Sequence, residues 1–224
     1  MVRFISLTWT SAVSEQEIIV FIDAVHEAIK TAYNRLPAAG TLVPFPDIQL
    51  FGDWVLQNAK PGMDYASFQW YQDAAMEADG KQLRSDRFLD LVLNEPWQQD
   101  TPHYDLAFVH QPLIDGHKRA TLGMAVRGRA AVFTSDTIRG IRDPIQRLVI
   151  LRRLAMHYVG QILAVPILER QEVVHPQICV MRPADSLPAL AFYTQQELEA
   201  NVTYCKPCQY EMAQRLVGDY FGNN

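Results

Sequence analysis

The chain has 224 residues, of which 49% are hydrophobic and 20% are charged, and its net charge at pH 7 is −5. This composition can bury a sizeable core and excludes a disordered chain, and the negative charge gives no reason to expect nucleic acid or an anionic membrane as partner. The sequence shows neither a signal-peptide cleavage site nor an apolar run near the roughly 20 residues of a membrane span. The length favours one domain over two small ones.

The first part of the chain predicts two strands and two helices. Residues 2–9 predict a strand, and Ser14 with Glu17 predicts a helix start because the pair forms a capping box. The apolar residues of this helix recur at helical spacing and predict its buried stripe: Ile18, Ile22, Val25 and Ile29. After a proline-rich loop, residues 47–51 predict a second strand and residues 64–79 a second helix.

The middle of the chain predicts one more helix and three strands. Ser85 is the predicted cap of the helix, whose inward residues would be Phe88, Leu91 and Val92. Residues 104–110 alternate in polarity and predict a strand. Residues 122–126 and 129–135 predict two strands around a tight turn.

The last part of the chain predicts two clear helices. Asp143 and Pro144 predict the start of a long helix that ends near Val165, before Pro166. Residues 167–203 are predicted to be mostly irregular, with a short helix at 195–200, and a final helix is predicted from Cys205 onward. Helices that interleave with strands indicate an α/β or α+β fold.

The long helix carries the residue pattern of a degraded zinc site. His157 and Gln161 are four residues apart and project from one face. A zinc peptidase helix carries HExxH, in which two histidines hold the metal and the glutamate activates water. Here Tyr158 replaces the glutamate and Gln161 the second histidine. A lone histidine on an apolar helix is more often a hydrogen-bonded core residue.

The three cysteines, Cys179, Cys205 and Cys208, lie in the last fifth of the chain. An odd number argues against a secreted disulfide framework and suits a reducing compartment, so we expect a cytoplasmic protein. A CxxC pair supplies half of a tetrahedral zinc site, and His175 in HPQIC is the candidate for a fourth ligand. The alternative is a reduced CxxC pair with a redox role or none, although no thioredoxin-like strand precedes it.

Three ordered segments, AMHYVGQILAV, CVMRPADSL and YCKPCQYEMAQRL, resemble the archaemetzincins, a family of zinc metallopeptidases. The family pattern is HExxHxxGxxHC, then CVM before a serine-containing turn, then CxxC. The residues that match it are His157, Gly160, Cys179, Met181, Ser186, Cys205 and Cys208. The similarity covers roughly residues 100–216 and includes the strand segments before the long helix.

The resemblance implies a single metzincin-like domain of the α/β (α+β) class. It would have a mixed twisted sheet, a long active-site helix and a C-terminal subregion stapled by zinc. The sheet and helix part would span residues 1–166, and the zinc-binding loop and last helix residues 167–224. One structural zinc per chain would be held by His175, Cys179, Cys205 and Cys208.

The sequence departs from the family where the chemistry takes place. Besides Tyr158 and Gln161, the later glycine is Ala164, the third histidine position falls near Ile167, and the first structural cysteine is absent. Glutamine is a poor zinc ligand, and loss of the general base removes a factor of roughly 10²–10⁴ in rate. We therefore expect no hydrolysis of the HExxH type. His175 lies near both the structural and the catalytic positions of the pattern.

Three functions remain open at the level of sequence. The first is a pseudopeptidase that binds a peptide or protein partner in the former groove, along an edge strand. The second is a hydrolase with a rebuilt site, using His157, His175 and one loop residue. The third is a redox protein using Cys205 and Cys208. Met181 is interpreted as a core residue, and Asp105 and Asp115 as turn and surface acids. Three further histidines are interpreted as exposed or locally hydrogen-bonded rather than as substitute metal ligands: His103, His110 and His117.

Overall fold

A computed structural model describes residues 3–36, 43–53, 68–163 and 178–221. His175, Ala164, Pro166 and Ile167 lie outside the described residues, as does the start of the helix predicted at 64–79. The strands are β1 (Ile5–Trp9), β2 (Ile48–Gly52), β3 (Leu83–Arg84), β4 (Tyr104–Val109), β5 (Leu113–Ile114), β6 (Ala120–Thr121), β7 (Gly123–Val126) and β8 (Ala130–Thr134). The helices are α1 (Glu15–Tyr33), α2 (Phe68–Ala75), α3 (Ser85–Leu93), α4 (Pro96–Asp100), α5 (Pro144–Ile162), α6 (Leu187–Ala200) and α7 (Lys206–Phe221).

A five-stranded mixed sheet with the order β2-β1-β4-β8-β7 organises the described part of the chain. The first four strands are parallel, and β7 pairs antiparallel with β8 at one edge. Gly128 adopts a left-handed φ of 74° in the β7–β8 turn, which glycine tolerates without strain. The mixed α/β fold and this hairpin are therefore confirmed, and three short strands form a separate small sheet.

The two faces of the sheet are covered by different helices. Leu106 and Phe108 of β4 face the larger core, which α1, α5 and α7 complete. Ala107 and Val109 face the opposite side and pack with residues of α2 and α3. This alternation is the two-residue period of a strand that is buried on both faces.

Helix α1 begins where its capping box predicts. Ser14 Oγ accepts from the Glu17 backbone N–H, and Glu17 Oε2 accepts in return from the Ser14 N–H at 3.0 Å. The fully buried stripe lies to one side of the predicted one, and its apolar residues include Phe21, Ala24, Val25, Ala28 and Ile29. Ile18 and Ile22 pack at the margin of the core.

Helix α5 is the central helix of the larger core. Asp143 caps it by accepting from the Ile145 N–H at 2.9 Å, and Pro144 occupies its first turn. From Ile150 onward nearly every residue is buried. The helix ends at Ile162, three residues before the predicted end. It packs against α1.

The predicted helix cap at Ser85 is wrong. Ser85 is the first residue of α3, its Oγ donates to the Ile114 carbonyl at 2.8 Å, and no side chain caps the helix. The Ser85 hydroxyl is thus hydrogen-bonded to a buried carbonyl of β5 and is not available to cap the helix N-terminus. Phe88 and Val92 are buried as predicted, Leu91 is partly buried against the same core, and Leu89 is a further buried residue that was not predicted.

The prediction that residues 167–203 are mostly irregular is wrong in its second half, where α6 spans 14 residues. Pro188 lies in the first turn, where a missing N–H costs no hydrogen bond. Leu190 is buried, but Phe192 and Leu198 are exposed. Because its apolar residues lie on several faces, α6 shows no amphipathic stripe in the sequence.

Asp105 was expected to be a turn or surface acid, and this is wrong. It lies in β4 with 6% of its surface exposed. It lies on the face of β4 opposite Tyr104, beside Gln98 of α4. Asp115 does occupy a turn, where its carboxylate accepts from the backbone N–H groups of His117 and Arg119.

Among the described helices, none combines the length and the apolar content that crossing a bilayer requires.

The capping box of α1 gives a test of the local prediction. We expect Ser14→Ala to lower the free energy of unfolding by about 1 kcal/mol, because it removes the acceptor for an otherwise unpaired helix N–H. Urea unfolding measures the change, and Ser11→Ala at an exposed neighbouring site is the matched control. Equal stability of the two variants would contradict the role of the box.

Candidate functional site

Three thiols meet where α7 begins. Cys205 and Cys208 lie at the start of this helix, and Cys179 approaches from the segment before α6. The Sγ atoms of Cys205 and Cys208 are 3.4 Å apart, and those of Cys179 and Cys208 are 3.8 Å apart. Two thiolates on one tetrahedral zinc lie about 3.8 Å apart. The three cysteines therefore have the spacing of a thiolate metal site.

Backbone hydrogen bonds hold the two thiol-bearing segments together. The Val180 N–H donates to the Thr203 carbonyl at 2.8 Å, and the Cys205 N–H donates to Cys179 Sγ at 3.3 Å. An N–H group aimed at a sulfur stabilises a thiolate. His175, the predicted fourth ligand, lies outside the described residues, so the Cys3His set remains a prediction.

The electrostatics of the thiols disfavour a redox pair. A hydrogen bond with Cys205 and burial raise the pKa of the Cys179 thiol to about 11. Hydrogen bonds with the other two cysteines and burial also raise the pKa of the Cys208 thiol. A redox cysteine needs a depressed pKa and access to solvent, whereas these thiols are buried. They would need a bound cation to ionise together.

His157 lies buried on α5 with both ring nitrogens engaged. Nδ1 is 2.8 Å from the Val180 carbonyl, and Nε2 is 2.7 Å from the side-chain nitrogen of Gln161. Because a carbonyl only accepts, Nδ1 carries the proton, and the Nε2 lone pair accepts from the Gln161 amide. The nitrogen that would bind a catalytic metal is thus used by the residue that replaces the second histidine. This arrangement does not fit a catalytic zinc at His157.

The charge state of His157 agrees with this hydrogen bonding. Burial, together with the positive charge of Arg153, lowers the pKa of His157 to about 4. The ring is therefore neutral at physiological pH, as the bond from Gln161 requires. His157 has the environment of a satisfied core histidine.

Tyr158 packs against the sheet, and its ring also meets that of His157 edge-on, with centroids 5.2 Å apart. Its ring stacks on Phe133 with centroids 5.6 Å apart and planes 9° from parallel. Burial raises the pKa of its phenol above the ordinary value of 10, so it stays protonated and cannot replace a carboxylate base. A Cβ built on Gly123 would lie 2.5 Å from the Tyr158 phenol. Glycine at this position of β7 therefore makes room for the tyrosine.

Met181 is core, as expected. It is fully buried, and its sulfur lies so close to α5 that a Cβ on Gly160 would overlap it. Gly160, which matches a glycine of the archaemetzincin pattern, therefore lets Met181 approach the helix backbone. Cys179, Val180 and Met181 are consecutive residues that contact the thiol cluster, His157 and Gly160 in turn.

The remaining predicted histidines do not assemble around His157. His110 Nδ1 is 2.8 Å from Thr10 Oγ1, and His117 is exposed. Within the described residues, neither belongs to a group of three or more potential metal ligands. His103 was expected to be exposed or locally hydrogen-bonded, and it is buried with a local bond to the Thr101 carbonyl.

A buried ion pair next to the site was missed by the sequence reasoning. Arg153 of α5 donates to Glu197 of α6 at 3.0 Å and to the Arg182 carbonyl at 2.9 Å. Both charged side chains are almost fully buried. The pair fixes α6 beside the segment that carries Cys179 and Met181. Arg153 in the apolar second half of α5 was the available signal, but its partner lies in the helix that was not predicted.

The low pKa of His157 predicts a loss of stability in acid. The unfolded chain binds this proton near the ordinary value of 6.5 and the folded protein only near 4. Its contribution is thus fully present above pH 6.5 and falls as pH decreases toward 4, by about 3 kcal/mol in total. Urea unfolding between pH 7 and pH 4 should show a shallower decline for His157→Gln than for the parent. The exposed His26→Gln is the control, and equal slopes in all three proteins would contradict the assignment.

The contact between Gly123 and Tyr158 predicts a strong effect of a small substitution. We expect Gly123→Ala to lower the free energy of unfolding by about 1–3 kcal/mol, because the added methyl overlaps both the phenol and the Val132 carbonyl. Gly218→Ala is the control, since its Cβ would meet no atom within 4 Å and alanine favours a helix. Urea unfolding at pH 7 measures both, and a neutral Gly123→Ala would refute the packing.

No protein-family model matches the sequence, and no curated protein shows significant similarity. Solved structures do match. An archaemetzincin from Methanopyrus kandleri superposes with a TM-score of 0.60 at 12% identity over 96% of each chain. An archaemetzincin from Archaeoglobus fulgidus, solved with malonate, gives 0.58 at 13% identity over 93% of this chain and 99% of the other.

A zinc-dependent peptidase from Methanocorpusculum labreanum gives a TM-score of 0.51 at 12% identity over 93% of this chain and 99% of the other. Identities this low establish similarity of fold alone. The matches span nearly the whole length of each chain, so the likeness extends beyond the motif segments at residues 100–216. The chain has an archaemetzincin-like fold.

Proposed function

We propose that this protein is a non-hydrolytic member of the archaemetzincin fold that holds one structural zinc ion and binds an extended peptide. The observation that carries the proposal is the bond from the Gln161 amide to His157 Nε2. An amide donor on this nitrogen takes the lone pair that a catalytic zinc would need. Tyr158 stays protonated and supplies no general base.

Zinc fits the thiol cluster and would be held there by Cys179, Cys205, Cys208 and the predicted fourth ligand, His175. Bound zinc would supply the positive charge that lets three packed sulfurs ionise together. Its role would be structural, since it would tie the segment after α5 to the start of α7. The redox function is not favoured, because all three cysteines are buried and the pKa values of Cys179 and Cys208 are raised by burial and by hydrogen bonds with neighbouring thiols.

The open edge of β7 offers the place for a peptide. The Thr134 N–H donates to the Leu122 carbonyl at 3.0 Å, so the alternating ladder directs the backbone groups of Gly123 and Ala125 away from β8. Those of Gly123 are bonded to Thr121 Oγ1, so the backbone groups of Ala125 are the ones offered to a peptide. No described strand pairs with this edge. An extended peptide could add to the sheet there, pairing with the backbone of Ala125.

Loss of hydrolysis is tested with the zinc-loaded full chain and a diverse peptide library. We expect no cleavage above the level of buffer, as detected by mass spectrometry. Chelator-sensitive cleavage that His157→Ala abolishes would overturn the proposal and establish a rebuilt hydrolase. A Gln161→Ala variant is the informative control, because it frees Nε2 without adding a general base and should remain inactive.

The thiol site is tested separately with Co²⁺ as a spectroscopic substitute for zinc. We expect a sulfur-to-cobalt charge-transfer band in the parent that Cys208→Ser weakens and His175→Ala shifts. The control is Tyr210→Ser, an exposed site two residues away on the same helix. A parent protein without this band would refute the metal site and return the free thiols to consideration.

Peptide binding at β7 is tested by removing one backbone donor. Peptides selected from a random displayed library against the parent should lose binding at least tenfold with Ala125→Pro, because proline removes the outward N–H without breaking the β8 ladder. Ala125→Val keeps the N–H and should bind as the parent does. Equal binding by all three proteins, or selection of no peptide, would reject docking at this edge.

A further inference from the structure

A second group of potential ligands lies on the opposite face of the sheet from α5. It consists of Glu95 just before α4, His103 just before β4, and Asp105 within β4. One ligand atom from each residue lies within 4.8 Å of the others. All three residues are buried, with exposed fractions of 5%, 1% and 6%. Such a cluster differs from exposed acidic groups, which are usually solvated.

Each of the three side chains is held by a partner on its outer atom. His103 Nδ1 is 2.7 Å from the Thr101 carbonyl, and Glu95 Oε2 accepts from the Tyr71 hydroxyl at 3.0 Å. Asp105 Oδ2 accepts from the Gln98 amide. Metal ligands are commonly oriented in this way, with a histidine donating its other N–H to a carbonyl and carboxylates hydrogen-bonded behind.

His103 Nε2 and Asp105 Oδ1, the atoms of these two residues that face each other, do not form a good hydrogen bond. Because the Thr101 carbonyl only accepts, Nδ1 of His103 carries a proton, which leaves Nε2 to face Asp105. Nε2 is fully buried and 3.2 Å from Asp105 Oδ1, but it has no partner in hydrogen-bond geometry. Ligands at about 2.1 Å from one tetrahedral zinc lie about 3.4 Å apart. The observed separation fits a shared cation.

The charges of the cluster point the same way. Two buried carboxylates this close together are stable only if a cation lies between them or one of them takes up a proton. A cavity of about 10 Å³ borders Glu95 and Asp105, but His103 is not among its lining residues, so the ion would have to lie between the three side chains themselves. One nitrogen and two carboxylate oxygens form a donor set that zinc and related divalent transition metals accept.

We propose that Glu95, His103 and Asp105 form a second metal site, which binds a divalent transition metal ion such as Zn²⁺. This site is independent of the cysteine cluster and of His157, because it lies across the sheet from them. The ion would tie α4 and the loop before β4 to the central strand. The competing arrangement is a second proton on His103, which would supply the charge without a metal.

The test measures bound metal and its spectrum together in the full chain. After loading with Zn²⁺ and dialysis, we expect Asp105→Asn to lower the zinc content by one ion per chain. After loading with Co²⁺, the same variant should keep the sulfur-to-cobalt charge-transfer band of the parent. Asp115→Asn, which changes an acid in an exposed turn, is the matched control and should lose no metal.

Each outcome decides the proposal. Unchanged zinc content in folded Asp105→Asn would overturn it and favour the protonated histidine. If this variant fails to fold, crystals of the zinc-loaded parent supply the answer through anomalous scattering at the zinc edge. A peak between His103 and Asp105 would support the site, and its absence would overturn it. If the parent protein shows no sulfur-to-cobalt band, this result would refute the cysteine site and leave the test of the second site unchanged.

Discussion

The burial of helix α5 is the constraint on which the rest of the structure depends. From Ile150 to Ile162 it has almost no solvent-facing residue, so every polar group there needs a partner within the protein. Arg153 finds Glu197, and His157 finds Val180 and Gln161. Each partner comes from a different segment, and together they place α6 and the loop before it. The same burial keeps His157 neutral and Tyr158 protonated.

The substitutions at Tyr158 and Gln161 form a compatible set. A glutamine at this position satisfies a neutral histidine without a metal, and a phenol fills space over Gly123 that a carboxylate would leave hydrated. The apolar stack of Tyr158 on Phe133 continues to Phe108, whose ring lies 4.9 Å from that of Phe133. A charged general base at position 158 would face these rings without compensation. The local chemistry is therefore that of a core.

Local signals in the sequence predicted much of the fold. The capping box at Ser14, the Arg127-Gly128 turn and the Asp143-Pro144 start all act within four residues, so spacing alone identifies them. Cys205 and Cys208 of the thiol cluster were predictable for the same reason, because they are three residues apart. Helix α6 was not predicted at its full length because its apolar residues lie on several faces. It is stabilised by partners distant in sequence, such as Arg153.

The sequence could not show which polar residues meet across distant elements. The prediction for Asp105 failed because an acid next to a strand start is usually solvated, whereas here α4 and the segments beside it cover the side chain. The bond between Gln161 and His157 was within reach, since residues four apart share a helix face. The second bond, to Val180, depended on how the chain returns after α5.

The run Cys179-Val180-Met181 couples two places that are otherwise separate. One residue belongs to the thiol cluster, the next orients His157 through its carbonyl, and the third fills the space beside Gly160. With no residue between them to absorb a shift, displacement of the sulfur must alter the ring and the helix contact. An ion bound by the thiols and a ligand bound beside α5 would then influence each other's affinity reciprocally.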